Sequence, residues 1–252
     1  MLRFQIVLNC CHCELMPRRT RLELPDVPLH IVQRGVNRCA VFVDTDDRRH
    51  YLNLLRKAAE DFCIDIHAYV LMGNHTHLLV TSHESGAISA AMHRLGQCYV
   101  QAFNRKHQRT GTLWEGRFKS CLVDSESYLL MVYRYIELNP VRAALTDCPV
   151  RYPWSSAQGN LGIMRDPLLT PHSAFRALAA DSEQRASAYA GWLMQGICEE
   201  ELVTIRAYVK QEKALGSKRF QEMAERTTGR DVTWRPRGRP SLGDFGAEGG
   251  CR

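Results

Sequence analysis

The sequence predicts an α+β fold, on three observations. Stretches that alternate with a period of two, such as Pro28-Leu29-His30-Ile31-Val32-Gln33-Arg34-Gly35, are interleaved with stretches whose apolar residues recur every three or four positions. Cap and turn residues stand at the junctions, among them Thr45-Asp46-Asp47, Gly73-Asn74 and Asp124-Ser125-Glu126. The resulting order is β-α-β-β-α-β-α. Its most economical packing is a ferredoxin-like (RRM-like) antiparallel sheet with helices on one face, which leaves the other face free to carry chemistry.

Each element has its own justification. Residues 28–35 alternate as a strand, and Val41-Phe42-Val43 is a short apolar piece. Thr45-Asp46-Asp47 caps a helix to about Phe62, with Tyr51, Leu54, Leu55 and Ala58 on one face. Ile64–Met72 and His75–Thr81 form a hairpin about the Gly73-Asn74 turn. A second helix, from Ser85 to about His107, carries Ile88, Met92, Leu95, Tyr99 and Phe103 on its apolar stripe. Leu113–Val123 reads as a fourth strand, and Asp124-Ser125-Glu126 caps a third helix that ends before Pro140. The expected organisation is an N-terminal extension at 1–15, a main domain at 16–160, a small helical module at 165–227 and a disordered Arg/Gly/Pro-rich tail at 228–252.

Composition narrows the functional classes. A hydrophobic fraction of 45% and a charged fraction of 24% are those of a globular protein, and a net charge of +6 suits a polyanionic partner. No run of eighteen apolar residues exists, so no membrane helix is expected, and the cytoplasm, in association with the nucleoid, is the expected compartment. Ten cysteines are many, but Cys39, Cys63, Cys98, Cys121, Cys148 and Cys198 stand singly, as buried small hydrophobes do. Cys10-Cys11-His12-Cys13 lacks the second spaced pair of a structural zinc site.

The chemistry centres on His75 and His77. Two residues apart on a strand, they point to one side, and paired imidazoles suit a divalent metal; the alternative is a pair of histidines on an ordinary strand. In the third helix Tyr135 and Asn139 are four apart and share a face. An amide oxygen from Asn139 can complete a site for Mg²⁺ or Mn²⁺, with Tyr135 beside it as a nucleophile toward phosphorus. The alternative reading makes Tyr135 a packing aromatic and Asn139 a helix-terminal residue before proline. Tyr99, on the stripe of the second helix, is the rival nucleophile and reads as core. A barrel hydrolase built on His-x-His needs further ligands on later strands, and the element order excludes it.

Five blocks in order, Arg34-Gly35-Val36-Asn37-Arg38, Gly73-Asn74-His75-Thr76-His77-Leu78-Leu79, Gly111-Thr112-Leu113-Trp114-Glu115-Gly116-Arg117-Phe118-Lys119, Tyr135-Ile136-Glu137-Leu138-Asn139-Pro140-Val141-Arg142-Ala143 and Trp154-Ser155-Ser156, resemble the HUH single-strand endonucleases. Within these the chain is most similar to the single-tyrosine (Y1) transposases of the IS200/IS605 type, in the branch of REP-associated tyrosine transposases, over roughly Met16 to Ser156. The sequence departs from the family pattern at Gly73, where proline is frequent, and at Thr76, where an apolar residue is usual. The resemblance implies His75, His77 and Asn139 as metal ligands for Mg²⁺ or Mn²⁺, and Tyr135 as the nucleophile. It further implies cleavage and rejoining of single-stranded DNA at hairpins of palindromic repeats through a 5′-phosphotyrosine, by a monomer or homodimer. A catalytically silent hairpin-binding protein or repressor of the same fold is the alternative.

The DNA contacts expected are Arg34, Arg38, Arg105, Arg109, Arg117, Lys119 and Arg142, with Trp114 either stacking on an unpaired base or buried. In the tail, Arg235, Arg237 and Arg239 lie in a minor-groove-binding type of sequence, or in a solvated basic segment.

Overall fold

The computed structural model describes residues 20–126 and 128–235. The extension at 1–15, and Arg237 and Arg239 of the tail, lie outside the described residues. The elements run β1 (Leu29–Arg34), α1 (Thr45–Asp61), β2 (Ile64–Leu71), β3 (His75–Ser82), α2 (Ala87–Lys106), β4 (Lys119–Val123), α3 (Leu129–Glu137) and α4 (Asn139–Arg142). There follow α5 (Ala157–Asn160), α6 (Ser173–Arg176), α7 (Ser182–Met194), α8 (Glu199–Gln211), β5 (Ala214–Leu215) and α9 (Lys218–Thr228).

The α+β class and the expected order of the first seven elements hold. The sheet order is β2-β3-β1-β4-β5, antiparallel except where β5 joins β4 in parallel. Helices cover both faces rather than one, because both faces are apolar over most of their length. On the first face Ile31, Ile66, Leu78, Val80 and Leu122 pack under α1 and α2. On the second, Ala68, Val70, Leu79, Cys121 and Val123 pack under α3 and α8. One end of the second face carries a group of polar residues, and His67 and Thr81 stand at the other.

Other expectations change for local reasons. Residues 113–118 are irregular, with a positive φ of 72° at Gly116, so the fourth strand starts at Lys119. Asp124 does not cap the third helix. Its carboxylate accepts from the backbone N–H and hydroxyl of Ser217 and so anchors the start of α9. Pro140 does not close the helical path either. It stands in the first turn of α4, where a missing N–H costs nothing, and α3 simply passes into α4 through Leu138.

The C-terminal part is not a separate helical module. β5 extends the sheet, α8 lies on the second face, and α9 packs Phe220, Met223 and Ala224 against the first. The tail does not begin at 228: Val232 is fully buried and its carbonyl accepts from the Ala214 N–H. The free edge of β2 is closed by the Trp154-Ser155-Ser156 block. The Leu71 N–H donates to the Trp154 carbonyl and the Ser156 N–H to that of Tyr69. Gly35, after β1, is required by space. A Cβ there would stand 2.4 Å from the Cys39 carbonyl oxygen and 2.8 Å from Val41 Cγ1.

Candidate active site

Strand register builds the site. Directly opposed residues of an antiparallel pair share a face, so the row Val70–His77–Val32–Lys119 crosses four strands on the second face. One step toward the strand ends, Arg34 opposes His75; one step inward, His30 opposes Leu79. The polar end of this face therefore holds His30, His75, His77, Arg34 and Lys119, and α3 lays Tyr135 across it. The Tyr135 ring lies edge-on to His77 and to His30, with centroids 5.5 and 5.7 Å away. The Arg142 guanidinium covers the same ring at 4.5 Å from its centroid and donates to the Tyr135 carbonyl at 2.9 Å.

Hydrogen bonds fix which atoms are free for chemistry. His75 Nδ1 lies 2.6 Å from Asn74 Oδ1, and His77 Nδ1 lies 3.0 Å from His30 Nε2. Neither His75 Nε2 nor His77 Nε2 takes a hydrogen bond among the described residues, nor does the Asn139 amide, while the Tyr135 hydroxyl is engaged by the Arg142 guanidinium. Burial, with the Arg34 charge behind it, pushes the His75 imidazolium down to about 4. Burial pushes His30 down to about 3 and His77 well below the ordinary histidine range. All three rings are neutral near pH 7, the state in which imidazole binds a metal.

Two uncommitted imidazole nitrogens and one uncommitted amide oxygen fit a divalent cation as a donor set. A second cluster does not. Asp44, Asp47 and His107 offer oxygen and nitrogen atoms within 4.8 Å of one another. The Lys106 ammonium already sits 2.8 Å from Asp44 and 2.9 Å from Asp47, and the Asp47 carboxylate takes the Val43 and Asp44 N–H groups to cap α1. That cluster is a neutralised helix cap.

α3 is held by buried polar anchors. Glu137 is fully buried and accepts from the Ser156 hydroxyl at 2.6 Å, the Asn160 amide at 2.7 Å and the Tyr189 hydroxyl at 2.7 Å. Burial raises its carboxyl above the usual range, and these three donors work against that rise. Arg134 reaches Glu201 of α8 at 2.6 Å and lies 4.7 Å from the Trp192 ring centroid.

Of the expected residues, the structure brings His75, His77 and Tyr135 together, with Arg34 and Arg142 beside them. Asn139 opens α4 one turn on, 9% exposed. Trp114 is the correction among the DNA contacts. It is buried against Tyr51 and Tyr99, so its ring offers no face to a base. Arg38 is exposed beyond β1, while Arg105 and Arg109 end the helix on the opposite face, with Arg109 over Phe103. Arg117 is exposed beside Arg21, away from Tyr135, and Arg235 pairs with Asp231 at 3.3 Å.

Sequence reasoning missed His30, Glu137 and Arg206, whose charge acts on Arg142. A signal for His30 existed: His30, Val32 and Arg34 alternate on the face that the His-x-His strand shares.

Residues 24–139 match the family model for IS200-like transposases. Over that stretch the chain is similar to the IS200-like transposases. His30, His75, His77, Tyr135 and Asn139 all fall within the match. The chain is also similar in fold to the solved structure of a REP-associated tyrosine transposase bound to a REP hairpin, at 18% identity and a TM-score of 0.50, over 63% of this chain and 96% of that one. A candidate transposase from Deinococcus radiodurans R1 matches 48% of this chain and 95% of its own, at 19% identity; its TM-score of 0.35 is too low to bear on the fold. No curated protein matches the sequence. Among the described residues no helix is long and apolar enough to cross a membrane.

Proposed function

We propose that this protein is a metal-dependent single-strand DNA endonuclease and strand transferase of the REP-associated branch, acting on hairpins of palindromic repeats with Tyr135 as nucleophile. One observation carries the reading. Tyr135 packs against His77 with the Arg142 guanidinium over its ring and at its hydroxyl, and both ligand histidines have Nδ1 engaged and Nε2 free. His75, His77 and Asn139 would hold Mg²⁺ or Mn²⁺, which supplies positive charge to polarise a phosphoryl oxygen.

The chain's own residues do the rest. The Tyr135 oxygen attacks phosphorus, the P–O3′ bond breaks, and the phenolic proton leaves to water or to the departing 3′ oxygen. The products are a 5′-phosphotyrosine and a free 3′-OH, and the adduct keeps the bond energy for rejoining. Arg142 and Arg34 offset phosphate charge beside the reacting atoms. A tyrosine with an ordinary pKa of about 10 needs such cationic neighbours to attack as phenolate. Lys119 and Arg206 extend the positive field along the path of a bound strand. The fold likeness to a hairpin-bound transposase supports hairpins as the substrate class.

The test is a denaturing gel with Mg²⁺ or Mn²⁺ and labelled single-stranded hairpins. Label that stays on the protein through denaturation, and is lost in Tyr135→Phe, is the expected result. Tight hairpin binding with no adduct would replace this reading by that of a silent binder or repressor.

A further inference from the structure

His30 has no part in the ligand set or the nucleophile, yet it is fully buried at the centre of the site. Its Nε2 lies 3.0 Å from His77 Nδ1, and the two rings stack at 26° with centroids 5.2 Å apart. Among the described residues no other group hydrogen-bonds to His77. A histidine that gives its Nε2 lone pair to a cation carries its proton on Nδ1. Only one proton fits between two ring nitrogens, so that proton of His77 must be donated to a bare His30 Nε2. We infer that His30 is a positioning residue: it fixes the tautomer and ring angle of His77 so that Nε2 faces the cation. The inference rests on the metal-site reading above.

The partner of the other ligand makes the contrast. His75 faces Asn74 Oδ1, and the Asn74 amide nitrogen is committed to the Arg38 carbonyl at 3.2 Å. Asn74 thus presents an acceptor only, and His75 keeps its proton on Nδ1 whether or not a cation is bound. His30 can do either. Without a cation its Nε2–H can donate to a bare His77 Nδ1, with the His77 proton on Nε2. With a cation, His77 carries Nδ1–H and His30 carries its own proton on Nδ1, the atom that has no partner among the described residues. Each ring holds one proton in both states, so the rearrangement neither takes up nor releases a proton. One ligand is permanently aimed, and the other is set by a second imidazole.

The first test reads the tautomers in the ¹⁵N-labelled full chain by long-range ¹H–¹⁵N correlation, with saturating Mg²⁺. His77 and His30 both protonated on Nδ1 is the expected result, and a proton on His30 Nε2 overturns the inference. The second test measures Mn²⁺ affinity. His30→Phe removes the acceptor and should weaken Mn²⁺ about 10- to 100-fold, whereas His30→Gln, whose amide oxygen can stand in for Nε2, should stay within about threefold of wild type. Unchanged affinity in His30→Phe overturns the inference alone. Should His30→Phe not fold, a tenfold loss in His30→Gln overturns it. Failure of the wild type to bind Mn²⁺, or indifference of its affinity to His75→Ala, removes the metal-site reading and this inference with it.

Discussion

Tyr99 and Tyr135 lie on opposite faces of one sheet and are almost equally hidden, at 1% and 6% exposure. Tyr99 is wholly committed. Its hydroxyl donates to the Val41 carbonyl and its ring is packed by Phe42, Tyr51, Phe103 and Trp114. Burial drives its phenol far above the ordinary range. Tyr135 is equally well packed, but by two imidazoles and a guanidinium, and its hydroxyl meets that cation rather than a backbone carbonyl. Depth does not separate the structural tyrosine from the proposed nucleophile. The difference is in what the oxygen is bonded to and which charges surround it.

The largest test of this contrast is at the hydroxyls. Tyr135→Phe is expected to reduce covalent DNA adduct to background while Tyr99→Phe forms it as wild type does, both read on denaturing gels. The reverse pattern would place the chemistry under α2. The anchoring of α3 comes next. Glu137→Ala strands three buried donors and is expected to cost about 3–5 kcal/mol in urea unfolding, against much less for Glu137→Gln. A loss below about 1 kcal/mol would mean that α3 is held by apolar contacts alone.

A third test compares two histidine sites on the same face. His67, at the far end, has both nitrogens engaged, Nδ1 with the Thr170 carbonyl at 2.7 Å and Nε2 with the Thr81 hydroxyl at 2.8 Å. Burial pushes its pKa down from 6.5 to about 4. The unfolded chain takes up this proton near 6.5 and the folded chain only near 4, so stability falls as pH drops through that window. His30, His75 and His77 are lowered in the same way, so His67→Gln should remove only its own share of the loss between pH 7 and 4, up to about 3 kcal/mol, when unfolding is followed over that range. An unchanged slope in the variant would assign the acid sensitivity elsewhere. The smallest effect belongs to the structural tyrosine. Tyr99→Phe should cost about 1 kcal/mol for its one hydroxyl bond, measured by the same unfolding.

Much of the site was legible because it depends on short-range periodicity. His75 and His77 share a face by strand alternation, whatever the rest of the chain does. His30 was within reach of the same reasoning. What alternation cannot show is which strands neighbour each other. Without the β1–β3 register nothing brings His30 to His77, forty-seven positions away. Trp114 failed for a related reason. Its neighbours Glu115, Gly116 and Arg117 suggest surface, but its ring enters a core made by α1 and α2. The Trp154-Ser155-Ser156 block was visible as a motif and silent as to purpose, since its partners are an edge strand and a glutamate in another helix.

By itself the sequence determined the class of fold, the order of the first seven elements and the pairing of the two histidines. These follow from local periodicity, caps and turns, where the deciding interactions lie within a few residues. The tertiary structure alone decided that both faces are covered, that residues beyond 200 complete the sheet and that Glu137 and Arg134 lock the tyrosine helix. It also decided that a third histidine stands behind the second. Those outcomes depend on contacts between distant segments, in which a buried charge or an extra strand is stabilised by partners that no local pattern names.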